Sequence, residues 1–212
     1  MGNSTIGHSH LDVFENSPNA VFNDLFPSLR TVVATLDGAI QEALVEKTIV
    51  SPIKAVYFDF DGVISTGEVW TDQSGVESVC CSRRDSLGLT MLRDKFPDLR
   101  LGVITSETNP VVMARCNKLR LPVYIGSTAK SKFEIFQKLL IIPTVYVGDD
   151  LNDLDCMASM DVISVCPSNA HKRIKQEADV VLKHKGGKGA VREVCDLLME
   201  GYFDKFAFKY NN

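Results

Sequence analysis

No apolar stretch in this sequence approaches the ~20 residues needed to cross a bilayer, and nothing in it resembles a signal peptide. A membrane-spanning protein is thereby excluded as the expectation, and a cytoplasmic one takes its place. No basic run stands out either, and the formal net charge is -4, so nucleic acid is not an expected partner. Any anionic substrate has to be attracted by a few placed cations and a metal, not by a global field. The six cysteines (Cys80, Cys81, Cys116, Cys156, Cys166, Cys195) show no paired metal-ligand spacing and are expected as free, buried thiols. His171 and His184 also lack partners at such spacing and are expected on the surface. Met1-Gly2 does not begin a myristoylation site, because Ile6 stands where Ser or Thr is needed.

What the chain does have is the balance of one globular domain with modest tails: 212 residues, 45% hydrophobic and 24% charged. Residues 1–27 are polar without a sustained period and are expected as a mobile tail. Ser28 is placed to cap a helix over 29–46, whose Val32, Val33, Leu36, Ile40 and Leu44 fall near helical spacing. The expected organisation is an N-terminal tail and helix (1–50), an α/β domain (51–201) and a C-terminal tail (202–212). Within the domain, strands near 55–58, 100–105, 123–125, 144–147, 162–165 and 180–182 alternate with helices beginning at Asp85, Pro110, Ser131, Asn152, Ser168 and Lys188. That alternation predicts a doubly wound parallel sheet, Rossmann-like, with helices on both faces. One interruption, 68–80, carries Val69, Trp70 and Val79 around Asp72-Gln73-Ser74-Gly75, a hairpin turn signal.

The chemistry gathers at the ends of three of these strands. Lys54-Ala-Val-Tyr-Phe-Asp59-Phe-Asp61-Gly62-Val63 is an apolar run that breaks into two carboxylates one residue apart. By itself Asp-x-Asp-Gly also begins calcium loops and Asx turns. Leu101-Gly-Val-Ile-Thr105-Ser106 ends in hydroxyl groups, and Thr144-Val-Tyr-Val-Gly148-Asp149-Asp150-Leu-Asn152-Asp153 ends in an acidic loop. Between them Lys130 and Lys132 open an amphipathic helix with Phe133, Phe136 and Leu140 on one face. Taken singly, Asp149-Asp150 reads as a capped strand-to-helix turn and Lys132 as a solvated helix lysine. Together they imply one sheet with one functional edge.

Phe58-Asp59-Phe-Asp61-Gly62-Val63, Ile104-Thr105-Ser106, Lys132 and Val147-Gly148-Asp149-Asp150-x-x-Asp153 resemble, in order, the four signature motifs of the haloacid dehalogenase superfamily of phosphatases. Gly67-Glu68-Val69-Trp70, Arg84-Asp85-Ser86-Leu87-Gly88, Asn109-Pro-Val-Val-x-Ala-Arg115-Cys-x-Lys118-Leu and Gly186-Gly-Lys-Gly-Ala-Val-Arg192-Glu193 extend the likeness over roughly 53–201. They point to the capless branch that holds 3-deoxy-octulosonate 8-phosphate phosphatases, nonulosonate 9-phosphate phosphatases and the phosphatase-like domain of acylneuraminate cytidylyltransferases. Ser86 stands where the octulosonate pattern has Gly, and Ser106-Glu107 where it commonly has Gly-Arg. Both departures tilt the reading toward the sialic-acid side.

The resemblance implies a phosphomonoesterase acting on a phosphorylated sugar acid. Asp59 would be the nucleophile that forms an aspartyl-phosphate, and Asp61 the general acid and base. Mg2+ would be held by Asp59, the backbone carbonyl of Asp61 and Asp149, with Asp150 and Asp153 orienting those ligands. Thr105 and the amide of Ser106 would hold phosphoryl oxygens, Lys132 would supply fixed positive charge, and Gly62 would admit the backbone close to the phosphate. Arg84 is a candidate for the sugar-acid carboxylate, in the same chain or across an interface, with a surface salt bridge as the plainer alternative. Lys188 is a candidate ligand contact at a helix start, against an ordinary glycine-rich turn. Arg192 and Glu193 are expected as a structural pair. With the hairpin far too small to be a cap domain, the site would be open in a monomer, and a homotetramer is implied. The alternative is a non-catalytic oligomerisation domain of the cytidylyltransferase type, whose pattern lacks the first aspartate that Asp59 supplies here.

Overall fold

Four consecutive apolar residues form β1 (Ala55–Phe58), and in the computed structural model of the chain all four are buried. Burial on both faces is what a central strand of a parallel sheet demands. Val56 and Phe58 enter one hydrophobic cluster, while Ala55 and Tyr57 enter another, as a side-chain period of two dictates. The structure describes residues 53–160 and 162–207, all within one unit, Val50–Asn212. The helix expected over 29–46 lies outside the described residues.

The chain leaves β1 through a hairpin, β2 (Ser65–Thr71) and β3 (Glu77–Cys81), before returning to the sheet. β4 (Arg100–Thr105), β5 (Val123–Ile125), β6 (Thr144–Val147), β7 (Val162–Cys166) and β8 (Val180–Val181) complete a six-stranded sheet in the order β5-β4-β1-β6-β7-β8. Every pairing in it is parallel. Helices α1 (Arg83–Lys95), α2 (Pro110–Leu119), α3 (Ala129–Leu139), α4 (Leu154–Met157), α5 (Lys172–Glu177) and α6 (Ala190–Met199) connect and flank the strands. Leu89 and Leu92 of α1, Val112 and Cys116 of α2, and Val191, Val194 and Leu198 of α6 join Val56 and Phe58 in one core; Phe136 of α3, Cys156 of α4 and Ile174 of α5 join Ala55 and Tyr57 in the other. The doubly wound α/β fold expected from the strand–helix alternation is therefore present.

Helix starts follow local capping chemistry more closely than hydrophobic period. Asn109 caps α2, its side chain accepting the Val111 N–H at 2.9 Å ahead of Pro110. α3 starts two residues before the expected Ser131 because Thr128 and Ser131 form a reciprocal capping box. α5 starts at Lys172, not Ser168: the Ala170 N–H bonds to Pro167 O and the Ser168 N–H to His184 O, which uses the intervening residues as a turn. The packed unit also runs past 201, since Phe203 is fully buried and α7 (Asp204–Ala207) follows it.

The hairpin turns where Asp72 Oδ1 accepts the N–H groups of Ser74 (2.8 Å) and Val76 (2.9 Å). Trp70 is 70% exposed and Val69 48%. Val79, expected to share that exposed face, instead packs against the core, because alternation along β3 turns it inward. Of the cysteines, all free thiols, Cys116, Cys156, Cys166 and Cys195 are buried, while Cys80 is exposed and Cys81 intermediate. No helix among the described residues is long and apolar enough to cross a membrane.

Candidate active site

From β1 the chain builds outward to β4 and β5, and from β6 it builds the other way to β7 and β8. The carboxyl ends of β1 and β6 therefore flank the reversal point, where open α/β sheets form a ligand crevice. Asp59 leaves β1 there, its N–H donating to Val147 O at 2.8 Å and its Oδ1 accepting the Phe60 N–H at 2.7 Å. Asp61 is fixed by the Ser65 hydroxyl, which donates to its Oδ1 at 2.8 Å; Ser65 Oγ in turn accepts the Gly67 N–H at 3.1 Å. Gly62 has φ 73°, and a Cβ there would lie 1.8 Å from Asp149 Oδ2. Only glycine permits both that backbone conformation and that approach.

α3 delivers Lys132 into the same place. Its side chain is fully buried, with Nζ 2.9 Å from Asp59 Oδ1 and 2.6 Å from Asp153 Oδ1. Lys130, the rival for this role, is 86% exposed and reaches only Glu134, at 3.9 Å. Asp153 also accepts the Tyr146 hydroxyl at 2.8 Å and the Asp149 N–H at 2.9 Å. It is thus a hub that sets the loop carrying Asp149 and the position of Lys132 together. Carboxylate oxygens of Asp59, Asp149 and Asp153 lie within 4.8 Å of one another.

Three carboxylates against one ammonium leave the site short of positive charge. Burial, then the neighbouring Asp153, pushes Asp59 well above its ordinary value despite Lys132. Burial, then Asp153 and Asp150, pushes Asp149 up to about 7. Burial also raises Asp61, against the Ser65 hydrogen bond. For Lys132 burial pulls the pKa down, but Asp59 and Asp153 outweigh it and hold the ammonium form. A hard divalent cation facing Asp59 and Asp149 would relieve this imbalance, so the donor set fits such an ion.

An open cleft of about 430 Å³ lies over these groups, lined by Asp59, Asp61, Gly62, Gly67, Asp149, Asp150, Leu151 and Asn152. Thr105 is buried at the end of β4, beside β1, and its Oγ1 accepts the Glu107 N–H at 3.1 Å. Ser106 Oγ is enclosed with no hydrogen-bond partner among the described residues. Thr105, Ser106 and Lys132 stand behind the cleft lining, and two candidates lie in solvent outside it: Arg84 is exposed on the first turn of α1, and Lys188 is exposed with Nζ 4.0 Å from Cys80 Sγ on the hairpin. Ser86, one of the departures from the octulosonate pattern, has a structural partner, since its hydroxyl accepts from Arg115 at 3.1 Å. The expected Arg192–Glu193 pair does not form, because adjacent helix residues point apart: Arg192 Nε bonds Asp196 at 2.8 Å, and Glu193 receives His184 Nδ1 at 2.7 Å.

Tyr146 and Ser65 belong to the site although no role was read for them, and the Gly186-Gly187 pair, marked in sequence only as a glycine-rich turn beside Lys188, backs it. A Cβ on Gly186 would lie 1.6 Å from Gly62 O, and the Gly187 N–H bonds Val63 O at 3.0 Å, so this loop backs the Asp59–Gly62 turn. For Tyr146 a signal existed: a phenol in the middle of a fully buried strand needs a hydrogen-bond partner.

No family model matches the chain. Among curated proteins, the 3-deoxy-D-manno-octulosonate 8-phosphate phosphatase of Escherichia coli K12 is 33% identical over 172 residues, covering 79% of this chain and 89% of that protein; the phosphatase of the same name from Yersinia pestis is 31% identical over the same length. The crystal structure of the Yersinia pestis phosphatase superposes with a TM-score of 0.64 at 33% identity, over 71% of this chain and 83% of that one. The 3-deoxy-D-manno-octulosonate 8-phosphate phosphatase of Moraxella catarrhalis, solved in complex with a magnesium ion, a phosphate ion and a KDO molecule, gives 0.63 at 27% identity over 76% and 95%.

Proposed function

The chain belongs to the phosphatase branch of the haloacid dehalogenase superfamily, and on that premise we propose that it is a cytoplasmic, magnesium-dependent phosphomonoesterase of a phosphorylated eight- or nine-carbon sugar acid. The observation that carries the reading is the buried Lys132 ammonium between Asp59 and Asp153, 2.9 and 2.6 Å away, with Asp149 across the cleft. A non-catalytic domain has no need to keep such an arrangement at an open crevice. Phosphate release from 3-deoxy-octulosonate 8-phosphate and from nonulosonate 9-phosphates, assayed side by side with magnesium, tests it. Turnover of one sugar-acid phosphate well above p-nitrophenyl phosphate is expected; no release from any of them sinks the proposal.

In this mechanism an Asp59 carboxylate oxygen attacks phosphorus in line with the sugar oxygen, giving an aspartyl-phosphate, and Lys132 aims that carboxylate and favours its ionised form against burial and Asp153. Asp61, held by Ser65 on the other side of the turn, gives its proton to the departing sugar oxygen. It then takes a proton from the water that cleaves the aspartyl-phosphate. Asp59, the Asp61 carbonyl and Asp149 would hold the magnesium ion, which when bound would neutralise phosphoryl charge. Thr105 and the Ser106 amide, next to β1 at the end of β4, meet the phosphoryl oxygens.

Asp61→Asn is expected to lower kcat roughly 10²- to 10⁴-fold while magnesium affinity, read by calorimetry, stays near that of the wild type, because only the backbone of Asp61 meets the ion. A loss of affinity as large as that of Asp149→Ala would show the side chain to be a ligand.

The cleft is open and the hairpin presents Trp70 and Val69 to solvent, which is the exposed apolar surface expected of an assembly face. We therefore extend the proposal to a homotetramer in which the hairpin of one subunit covers a neighbour's cleft, with Arg84 and Lys188 meeting the sugar-acid carboxylate across that interface. Light scattering should give a tetramer that dissociates when 68–80 are replaced by a short glycine linker, with a matching loss of activity on the sugar-acid phosphate. A monomeric wild type with full activity refutes it.

A further inference from the structure

We propose that Asp85 is a positioning residue that caps a distant helix and thereby clamps the glycine loop 186–189 against the nucleophile's turn. The Arg84-Asp85-Ser86-Leu87-Gly88 segment supplies no residue to the cleft lining, yet Asp85 is only 1% exposed. Its partner lies far away in sequence: Asp85 Oδ1 accepts the backbone N–H of Arg192 at 2.9 Å. Arg192 is the third residue of α6, and the N-cap of that helix is Gly189, at φ 110°, with no side-chain capping bond. A helix start leaves its first amides without partners, and a glycine cap has no side chain to satisfy them. Asp85 satisfies one of them, that of Arg192, from α1. Three residues on, Gly88 lets the two helices meet, since a Cβ there would lie 3.2 Å from Arg192 Cα.

The capped turn is joined directly to the loop that touches the site. Gly186 and Gly187 lie against Gly62 O and the Thr66 N–H, at 1.6 and 2.4 Å from the Cβ atoms they lack. The Gly186 N–H is held by Asn169 Oδ1 at 2.9 Å and the Gly187 N–H by Val63 O at 3.0 Å. Gly62 is in turn pressed on Asp149. Asp59–Gly62 therefore sits between Asp149 on one side and the 186–189 loop on the other, and Asp85 fixes the far end of that loop. Among the described residues Asp85 Oδ2 has no hydrogen-bond partner, so a single acceptor oxygen does the work. Burial pushes the carboxyl up to about 6, against the Arg192 N–H, Arg115, His184 and Arg84.

The inference rests on the phosphatase reading for its kinetic arm, and hydrogen exchange tests the clamp without it. In the full-length chain Asp85→Ala is expected to speed amide exchange across 186–193 about tenfold. It should also lower kcat on p-nitrophenyl phosphate with magnesium by a similar factor, with KM moved less than about threefold. Asp85→Asn keeps an acceptor oxygen and should restore both. Unchanged exchange in a folded Asp85→Ala protein overturns the clamp whatever the activity does. Raised exchange with wild-type kcat overturns the positioning role, and an Asn variant as impaired as the Ala variant overturns the capping explanation in favour of charge. If Asp85→Ala does not fold, Asp85→Ser, whose hydroxyl is too short to reach Arg192, is read by the same measurements.

Discussion

Asp59→Asn should abolish phosphate release, by roughly 10⁴-fold or more, in a protein that melts no lower than the wild type. The kinetic half follows from chemistry: an amide oxygen is not a nucleophile toward phosphorus, and the substitution also removes a negative charge from the donor set for the cation. The stability half follows from the contacts. Asp59 uses Oδ1 both for the Phe60 N–H at 2.7 Å and for Lys132 Nζ at 2.9 Å, and an Asn Oδ1 can accept both. What disappears is a buried negative charge already pushed upward by burial and by Asp153, and removing unfavourable charge costs the fold nothing. Phosphate release against time and a thermal melt by circular dichroism check the two halves. Turnover surviving at the wild-type rate would sink the covalent mechanism.

Legibility from sequence tracked the range over which each residue acts. Asp59, Asp61 and Asp149 announce themselves because carboxylates directly follow apolar strands, and the strand pattern alone puts them on one sheet edge. The choice of Lys132 over Lys130 could not come from spacing, as both open the same helix; it came from the family likeness, and burial separates them, 0% against 86% exposure of the side chain. Ser65 was silent because its bond to Asp61, four residues back, depends on an irregular turn around Gly62. The Gly186–Gly62 approach and the Asp85 cap join segments remote in sequence, and no local period records such contacts. The late start of α5 has the same origin, since a backbone bond to His184 reshapes the residues before it. Arg84 and Lys188 are the opposite case. Their charge made them visible, and the structure leaves both in solvent outside the cleft lining.

Lys132→Met should damage both stability and catalysis, for separable reasons. Methionine fills nearly the same volume along the stem, so the packing loss is small. The electrostatic loss is not. Lys132 is fully buried between Asp59 and Asp153, and removing one partner of a buried ion pair leaves uncompensated charge at a cost of about 3–5 kcal/mol. With chelator present the variant should therefore melt well below the wild type. Millimolar magnesium should narrow the gap, because an ion bound only by the folded state stabilises it, and one facing Asp59 and Asp149 replaces part of the missing charge. Activity should not follow: the ion can offset repulsion between carboxylates, but it cannot hold Asp59 Oδ1 as the ammonium at 2.9 Å does, and kcat should stay depressed by roughly 10²-fold or more at saturating magnesium. Calorimetric melts with chelator and with magnesium, paired with saturating kinetics, separate the two effects. A variant that melts with the wild type in chelator would contradict the buried-pair argument. One that regains wild-type kcat in magnesium would reduce Lys132 to a structural counter-ion.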